Sequence, residues 1–295
     1  MSYSKGVIMA GGKGSRLTPL TNVVNKHLLP VYDKPMIYYP LSTLMLCGIR
    51  EIAIIVNPEN LNNFESLLGN GDHFGISIKY FIQDEPLGIP DGLIKTKKWI
   101  NTSKVALILG DNIFIGPGLG RQLNYDLNLN GATIFGFKVN NPKDYGIVEF
   151  DNQNKIVSLE EKPINPKSRY AIPGLYFLDQ HASEIAESLK LSTRGELEIV
   201  DLLNYYLEFD NLHLKIMQRG TGWMDCGSVE TLFTAGEYVR VIQQRQGLKV
   251  LSPEEVSFVQ GWISEKELVK LSNFQINTEY SEYLREIYMS YINPT

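Results

Sequence analysis

The segment Met9-Ala10-Gly11-Gly12-Lys13-Gly14-Ser15-Arg16-Leu17 directly follows a short apolar run, Gly6-Val7-Ile8. It constrains the 295-residue chain more than any other feature. Three glycines within four residues let backbone N–H groups approach a polyphosphate with no Cβ in the way. Arg16 closes the loop with a planar donor fork suited to phosphate oxygens. No Gly-Lys-Ser/Thr ends the segment, so it is not a Walker loop, and Leu17 stands where the third glycine of GxGxxG belongs. Alone, such a stretch is a strand-to-helix turn. Here it is followed by Lys26-His27-Leu28-Leu29-Pro30-Val31; a lysine before an apolar turn is by itself a solvated surface charge, and paired with the upstream loop it becomes a candidate second phosphate ligand.

Apolar runs of strand length recur at Gly6–Ala10, Glu51–Asn57, Ser77–Ile82 and Lys104–Leu109. Amphipathic helical stretches lie between and after them: Pro35–Leu46, Pro58–Leu68, Gly92–Ile100 and Leu119–Leu129. This alternation predicts an α/β fold: a doubly wound, mostly parallel, Rossmann-like mixed sheet flanked by helices. Strands expected at Thr133–Val139, Gly146–Phe150, Ile156–Glu160 and Tyr170–Leu178 form a small antiparallel addition, followed by a helix over Glu196–Leu207. The tail reads as helices at Val229–Gln244, Pro253–Phe258, Ser264–Leu271 and Glu279–Tyr288. The expected organisation is an α/β catalytic domain over 1–227, with a nucleotide half near 1–111 and a sugar half near 112–227. A helical segment, 228–295, packs on it.

With 43% apolar and 21% charged residues the chain can build a large core, which excludes disordered and low-complexity classes. Its net charge of −5 argues against nucleic acid as a partner. Cys47 and Cys226 stand far apart with no CxxC, which fits a reducing compartment and argues against structural zinc. No apolar stretch suits a signal peptide or a membrane span, so a cytoplasmic protein without a membrane partner is expected.

The glycine segment with Lys26-x-Leu28-Leu29-Pro30 resembles the signature of sugar-1-phosphate nucleotidylyltransferases, and more closely the glucose-1-phosphate thymidylyltransferases among them. The likeness continues through Tyr32–Ser42, Leu109-Gly110-Asp111-Asn112-Ile113-Phe114, Glu160-Glu161-Lys162-Pro163, Gly174–Phe177 and Arg194–Ile199. Arg245–Val250 and Pro253-Glu254-Glu255 carry it into the tail, so it spans essentially the whole chain. The implied reaction is dTTP plus glucose 1-phosphate giving dTDP-glucose and pyrophosphate, the first step towards dTDP-deoxysugars such as dTDP-rhamnose.

The resemblance implies catalytic roles for Arg16, Lys26, Asp111, Lys162 and Asp225. It implies nucleotide contacts from Met9, Gly11, Gly12, Gly14, Ser15, Gln83, Gly88 and Asp111. Sugar-phosphate contacts are implied for Asn112, Tyr145, Gly146, Glu161, Lys162, Ile172, Tyr176 and Arg194. Asp111 and Asp225 would share one Mg²⁺ with the nucleotide phosphates. By itself, a carboxylate just past a buried strand suits Mg²⁺ and equally suits a turn or a helix N-cap. A homotetramer is also implied, with a second, regulatory nucleotide site at Tyr38, Arg219, Lys249 and Glu255. Pro117 and Val259 stand where that site usually has His and Arg.

Other departures are Cys226 for Thr, Ser15 for Thr, Pro173 for Thr, and the stretch Asp84–Gly92, where Asp91 replaces a Gln. The last could alter nucleotide choice. A uridylyltransferase, an enzyme for another hexose 1-phosphate, or a non-catalytic nucleotide-sugar-binding homologue are the alternatives. A glycosyltransferase would want Asp-x-Asp, whereas Gly110-Asp111-Asn112-Ile113 has one carboxylate.

Overall fold

A computed structural model describes residues 3–124, 130–274 and 278–292. Fourteen strands are described: β1 (Lys5–Met9), β2 (Pro30–Val31), β3 (Lys34–Pro35), β4 (Glu51–Val56), β5 (Ser77–Ile82), β6 (Val105–Leu109), β7 (Asn112–Ile115), β8 (Ala132–Lys138), β9 (Gly146–Phe150), β10 (Ile156–Glu161), β11 (Tyr170–Ala171), β12 (Leu175–Leu178), β13 (Leu212–Ile216) and β14 (Gly222–Asp225). The α-helices are α1 (Tyr38–Leu46), α2 (Leu61–Leu68), α3 (Ile89–Ile100), α4 (Leu119–Asn124), α5 (Ala182–Ser188), α6 (Ile199–Glu208), α7 (Val229–Gln246), α8 (Pro253–Val259), α9 (Glu265–Phe274) and α10 (Glu279–Ile292).

The main sheet runs β10-β9-β11-β8-β12-β6-β1-β4-β5, with β13 also paired to β8. Strands β6, β1, β4 and β5 are mutually parallel, and β12 enters antiparallel between β6 and β8. This is the mixed α/β sheet that the alternation predicts. The parallel strands are apolar on both faces because both faces are covered. Ile8, Ile52, Ile54 and Ile108 pack towards α1, α2 and α8 through Leu41, Leu44, Phe64 and Val256. Their neighbours Val7, Ala53, Ile55 and Leu107 face α3, α5 and α6 through Leu93, Ile185 and Leu202.

Several boundaries differ from expectation. Helix α1 starts at Tyr38, because Lys34–Pro35 is spent in a hairpin with Pro30–Val31. Helix α3 begins at Ile89, three residues earlier than expected, with Pro90 in its first turn, where a missing N–H costs nothing. Helix α6 starts at Ile199, since Leu197 stays extended and bridges Gly88. Of the expected helix Leu119–Leu129, Leu119–Asn124 is α4 and residues 125–129 lie outside the described residues.

The expected strand Tyr170–Leu178 is broken at Ile172-Pro173-Gly174. The Gly174 carbonyl there accepts from Leu109 N at 2.8 Å, and Ile172 N donates to Gly146 O at 2.8 Å. Strands β7, β13 and β14 and helix α5 were not anticipated. The tail is helical as expected, and α8 packs on α1.

Candidate active site

Strands β6, β1, β4 and β5 run parallel in that order, so the loops leaving the carboxyl ends of β6, β1 and β5 open on one edge of the sheet, the place where open α/β sheets bind ligands. A cleft of about 540 Å³ opens there. Met9, Gly11, Gly12, Gly14, Ser15, Arg16 and Lys26 line it from the first loop, and Gln83 and Gly88 from the loop after β5. Asp111 follows β6, and Glu161 and Arg194 come from the far side. Gly14 has φ +63°, and a Cβ there would lie 2.9 Å from Thr21 Cγ2 and 3.0 Å from Lys26 Cβ. That turn is open only to glycine. Gly88, at φ +98°, lies so close to the strand-like Leu197 that a Cβ would reach 2.1 Å from its carbonyl oxygen.

Asp111 and Asp225 are joined by a ladder absent from the sequence reading. Strands β7 and β14 pair antiparallel with Asp225 opposite Asn112, and Cys226 N donates to Asp111 O at 3.0 Å. Asp111 is ion-paired with the buried Lys26, and Asn112 Nδ2 donates to Asp111 Oδ1 at 2.8 Å. Burial would raise the Asp111 carboxyl, but the Lys26 charge and the hydrogen bonds from Lys26 and Asn112 outweigh it and hold the group below the usual range. Asp225 goes the other way: burial and the nearby Asp111 charge raise it. Its Oδ1 is buried with no hydrogen-bond partner.

Asn112, expected to meet sugar hydroxyls, is largely engaged. Its Oδ1 accepts from Gly174 N at 2.9 Å and from Trp223 Nε1 at 2.7 Å. The side chain therefore anchors the Asp111 carboxylate and keeps one amide hydrogen free.

The other expected sugar-side residues sit around Glu161. A Cβ on Gly146 would come 3.0 Å from Glu161 Oε2. Lys162 Nζ lies 4.0 Å from Glu161 Oε1, and its amide donates to Tyr145 O at 3.1 Å. Lys162 adopts φ +43°, a left-handed conformation uncommon for lysine, at the end of β10. Tyr145 packs against Trp223 with the rings tilted by 59° and 5.0 Å between centres, while Ile172 and Tyr176 are buried. Burial raises the Glu161 carboxyl, against the pull of Lys162 and Arg194.

Three contributors were missed. Glu198 clamps Arg194 with contacts of 2.6 and 3.1 Å. Trp223 grips Asn112. His27 lies beneath the glycine loop, and burial pushes its imidazole down to about 4. Glu198 and His27 lie in motifs already singled out, whereas Trp223 meets Asn112 across 111 positions.

The four expected regulatory residues do not share one cavity. Lys249 lines a second cavity, of about 890 Å³, with Pro117, Gly118, Tyr238 and Gln260. Its ammonium is held by Asp33 at 2.7 Å. Tyr38 is buried, Glu255 accepts from Tyr283 Oη at 2.6 Å, and Arg219 is exposed before Gly220, which borders the cavity.

The fold and this cleft define a nucleotide-handling α/β protein, and the Nucleotidyl transferase family profile matches residues 5–240. The chain belongs to that family. Within it, the chain belongs to the glucose-1-phosphate thymidylyltransferases. It is 47% identical over 283 residues to the protein of that name from Mycobacterium tuberculosis, covering 96% of this chain and 98% of the relative. It is 47% identical over 285 residues to that from Xanthomonas campestris, covering 96% and 97%. A Bacillus anthracis crystal structure, described as a glucose-1-phosphate thymidylyltransferase in complex with a sucrose, superposes with a TM-score of 0.74 at 39% identity, over 80% of this chain and 95% of that one. A UDP-glucose pyrophosphorylase shares the fold at TM-score 0.70 and 22% identity, over 81% of this chain and 99% of that one. Among the described residues, no helix is long and apolar enough to cross a membrane.

Proposed function

We propose that this chain transfers a thymidylyl group from dTTP to glucose 1-phosphate, releasing pyrophosphate. The observation that carries the reading is one cleft flanked by two sets of groups: the glycine loop with Arg16 and Lys26 on one side, and Glu161 with Arg194 on the other. A phosphate monoester has a second pKa of about 6, so the attacking sugar phosphate is already largely ionised at neutral pH. No side chain has to remove a proton, and the histidine under the loop is buried and neutral. What remains is positioning and charge neutralisation. Arg16 and the loop amides hold the nucleotide phosphates, Lys162 the sugar phosphate, and Glu161 the sugar hydroxyls.

Asp111 and Asp225 would hold Mg²⁺. The orphaned Asp225 Oδ1 and the mutual repulsion of the two carboxylates fit a cation between them. Mg²⁺ commonly takes one or two carboxylates plus substrate phosphates, so two suffice. When bound, it would neutralise charge on the triphosphate. Without it, Lys26 supplies the counter-charge to Asp111.

The substrates are small and soluble, consistent with work in the cytoplasm without membrane or nucleic acid. A homotetramer is the proposed assembly, supported by exposed apolar side chains on α7. A second nucleotide-sugar site in the 890 Å³ cavity would have to displace Asp33 from Lys249 or act without that lysine.

The test is pyrophosphate release from dTTP, UTP, CTP, ATP and GTP with several hexose 1-phosphates, with and without chelator. The expected result is the highest rate with dTTP and glucose 1-phosphate and its loss in excess chelator. A flat response across nucleotides, or no release at all, overturns the reading.

A further inference from the structure

We propose that Asp91 is a specificity-determining residue that acts through Gln83. It fixes the Gln83 amide so that an oxygen, not a nitrogen, meets the nucleobase. This selects pyrimidines that carry a ring N–H over those with a bare ring nitrogen. The inference rests on the proposed reaction, with Gln83, an expected nucleotide contact that lines the cleft, meeting the base.

Gln83 directly follows β5 and Asp91 lies in the first turn of α3; each is 5% exposed. Two polar side chains buried this deeply must satisfy each other. Gln83 Nε2 donates to Asp91 Oδ2 at 2.8 Å and to Gly88 O at 3.3 Å. A carboxylate and a carbonyl can only accept, so the amide nitrogen must face them. The reverse orientation would set the amide oxygen against two acceptors in a dry site.

Both amide hydrogens are thereby taken. Oε1 is left for a ligand, and among the described residues none that lines the cleft donates to it. It faces Gly11, where a Cβ would come within 3.1 Å of it, so the approach to Oε1 is open only because that residue has no side chain. Thymine and uracil present N3–H, which an amide oxygen accepts. Cytosine presents an unprotonated N3, which the same oxygen repels. A glutamine with no partner could rotate its amide and accept either base; the bond to Asp91 removes that freedom.

The test compares dTTP and dCTP binding by calorimetry in wild type, Asp91→Asn and Asp91→Ala. Asparagine keeps the size of the residue but can turn a donor towards Gln83, so the amide is free to reverse. The preference for dTTP over dCTP is expected to fall by about tenfold or more in Asp91→Asn. Part of that fall comes from tighter dCTP binding, which damage to the fold could not produce, while the KM for glucose 1-phosphate stays unchanged. An unchanged preference in both variants, or equal weakening of both nucleotides, overturns the role of Asp91. Wild-type turnover of dTTP is a separate arm. Its absence, with base discrimination intact, would remove the proposed reaction and leave Asp91 in place.

Discussion

Gly227 has no room for a side chain on its cleft-facing side. A Cβ there would come 2.6 Å from Asp225 Oδ1 and 2.8 Å from Arg16 Nη2. Both are the far ends of flexible side chains, so they can move at little cost to folding, yet both belong to the proposed reaction centre. Gly227→Ala is therefore expected to lower kcat/KM by about ten- to a hundredfold, since misplacement near 1 Å costs on that order. Its melting temperature should stay close to wild type. Steady-state kinetics beside a thermal melt would separate the two effects.

Asp111→Asn behaves differently. It should cut kcat by about two to three orders of magnitude. It should also lower the melting temperature, because the buried Lys26 loses its counter-charge. The same pair of measurements reads both, and an unchanged kcat would remove Asp111 from the chemistry.

At the level of elements, what could be read from the sequence depended on whether the signal was local. Strands β1, β4, β5 and β6 are apolar runs, and the loops leaving β1, β5 and β6 carry the glycine motif, Gln83 and Asp111, so that wall of the cleft was legible. Strands β7 and β14 were not. Each has four residues, too few for a period, and they meet across more than a hundred positions. Their pairing is what brings Asp225 to Asp111, a meeting that only the family resemblance foretold. Of the expected regulatory residues, Lys249 is held by Asp33 and Glu255 accepts from Tyr283, partners that no local signal announces.

Helix α10 is tied to α8 through buried carboxylates. Glu254 Oε2 accepts from Tyr280 Oη at 2.6 Å and from Ser252 Oγ at 3.0 Å, and burial raises its carboxyl above the usual 4.5. A raised native value favours the protonated form, so this contribution to stability is complete below 4.5 and lost as pH rises through the raised value. Glutamine keeps the acceptor and discards the charge. Glu254→Gln should thus melt a few degrees above wild type at pH 8, a gain of roughly 1 kcal/mol, with a smaller difference at pH 5. Scanning calorimetry at the two pH values decides it, and an equal shift at both would rule out the charge as the cause.

For the whole molecule, the outward side of α7 leaves Val229, Phe233 and Val241 at 53%, 63% and 48% exposure. Apolar groups this exposed along one helix mark a contact surface, and a second copy of the chain is the occupant that a homotetramer would supply. Phe233→Asp should shift the assembly to a smaller species by light scattering, with the fold intact by circular dichroism. An unchanged mass would place the subunit contact elsewhere.

The β7–β14 ladder also sets the order in which the site can come into being during synthesis. The glycine loop, Lys26 and Asp111 all belong to the first 111 residues, and the parallel strands that carry them pair among themselves. A nascent chain can have its phosphate cradle while β14 is still inside the ribosome. The second carboxylate arrives only when Asp225 has emerged and its strand has zipped onto β7, the longest-range pairing in the site. If Asp111 and Asp225 act together as proposed, a chain short of that pairing lacks one of the two carboxylates.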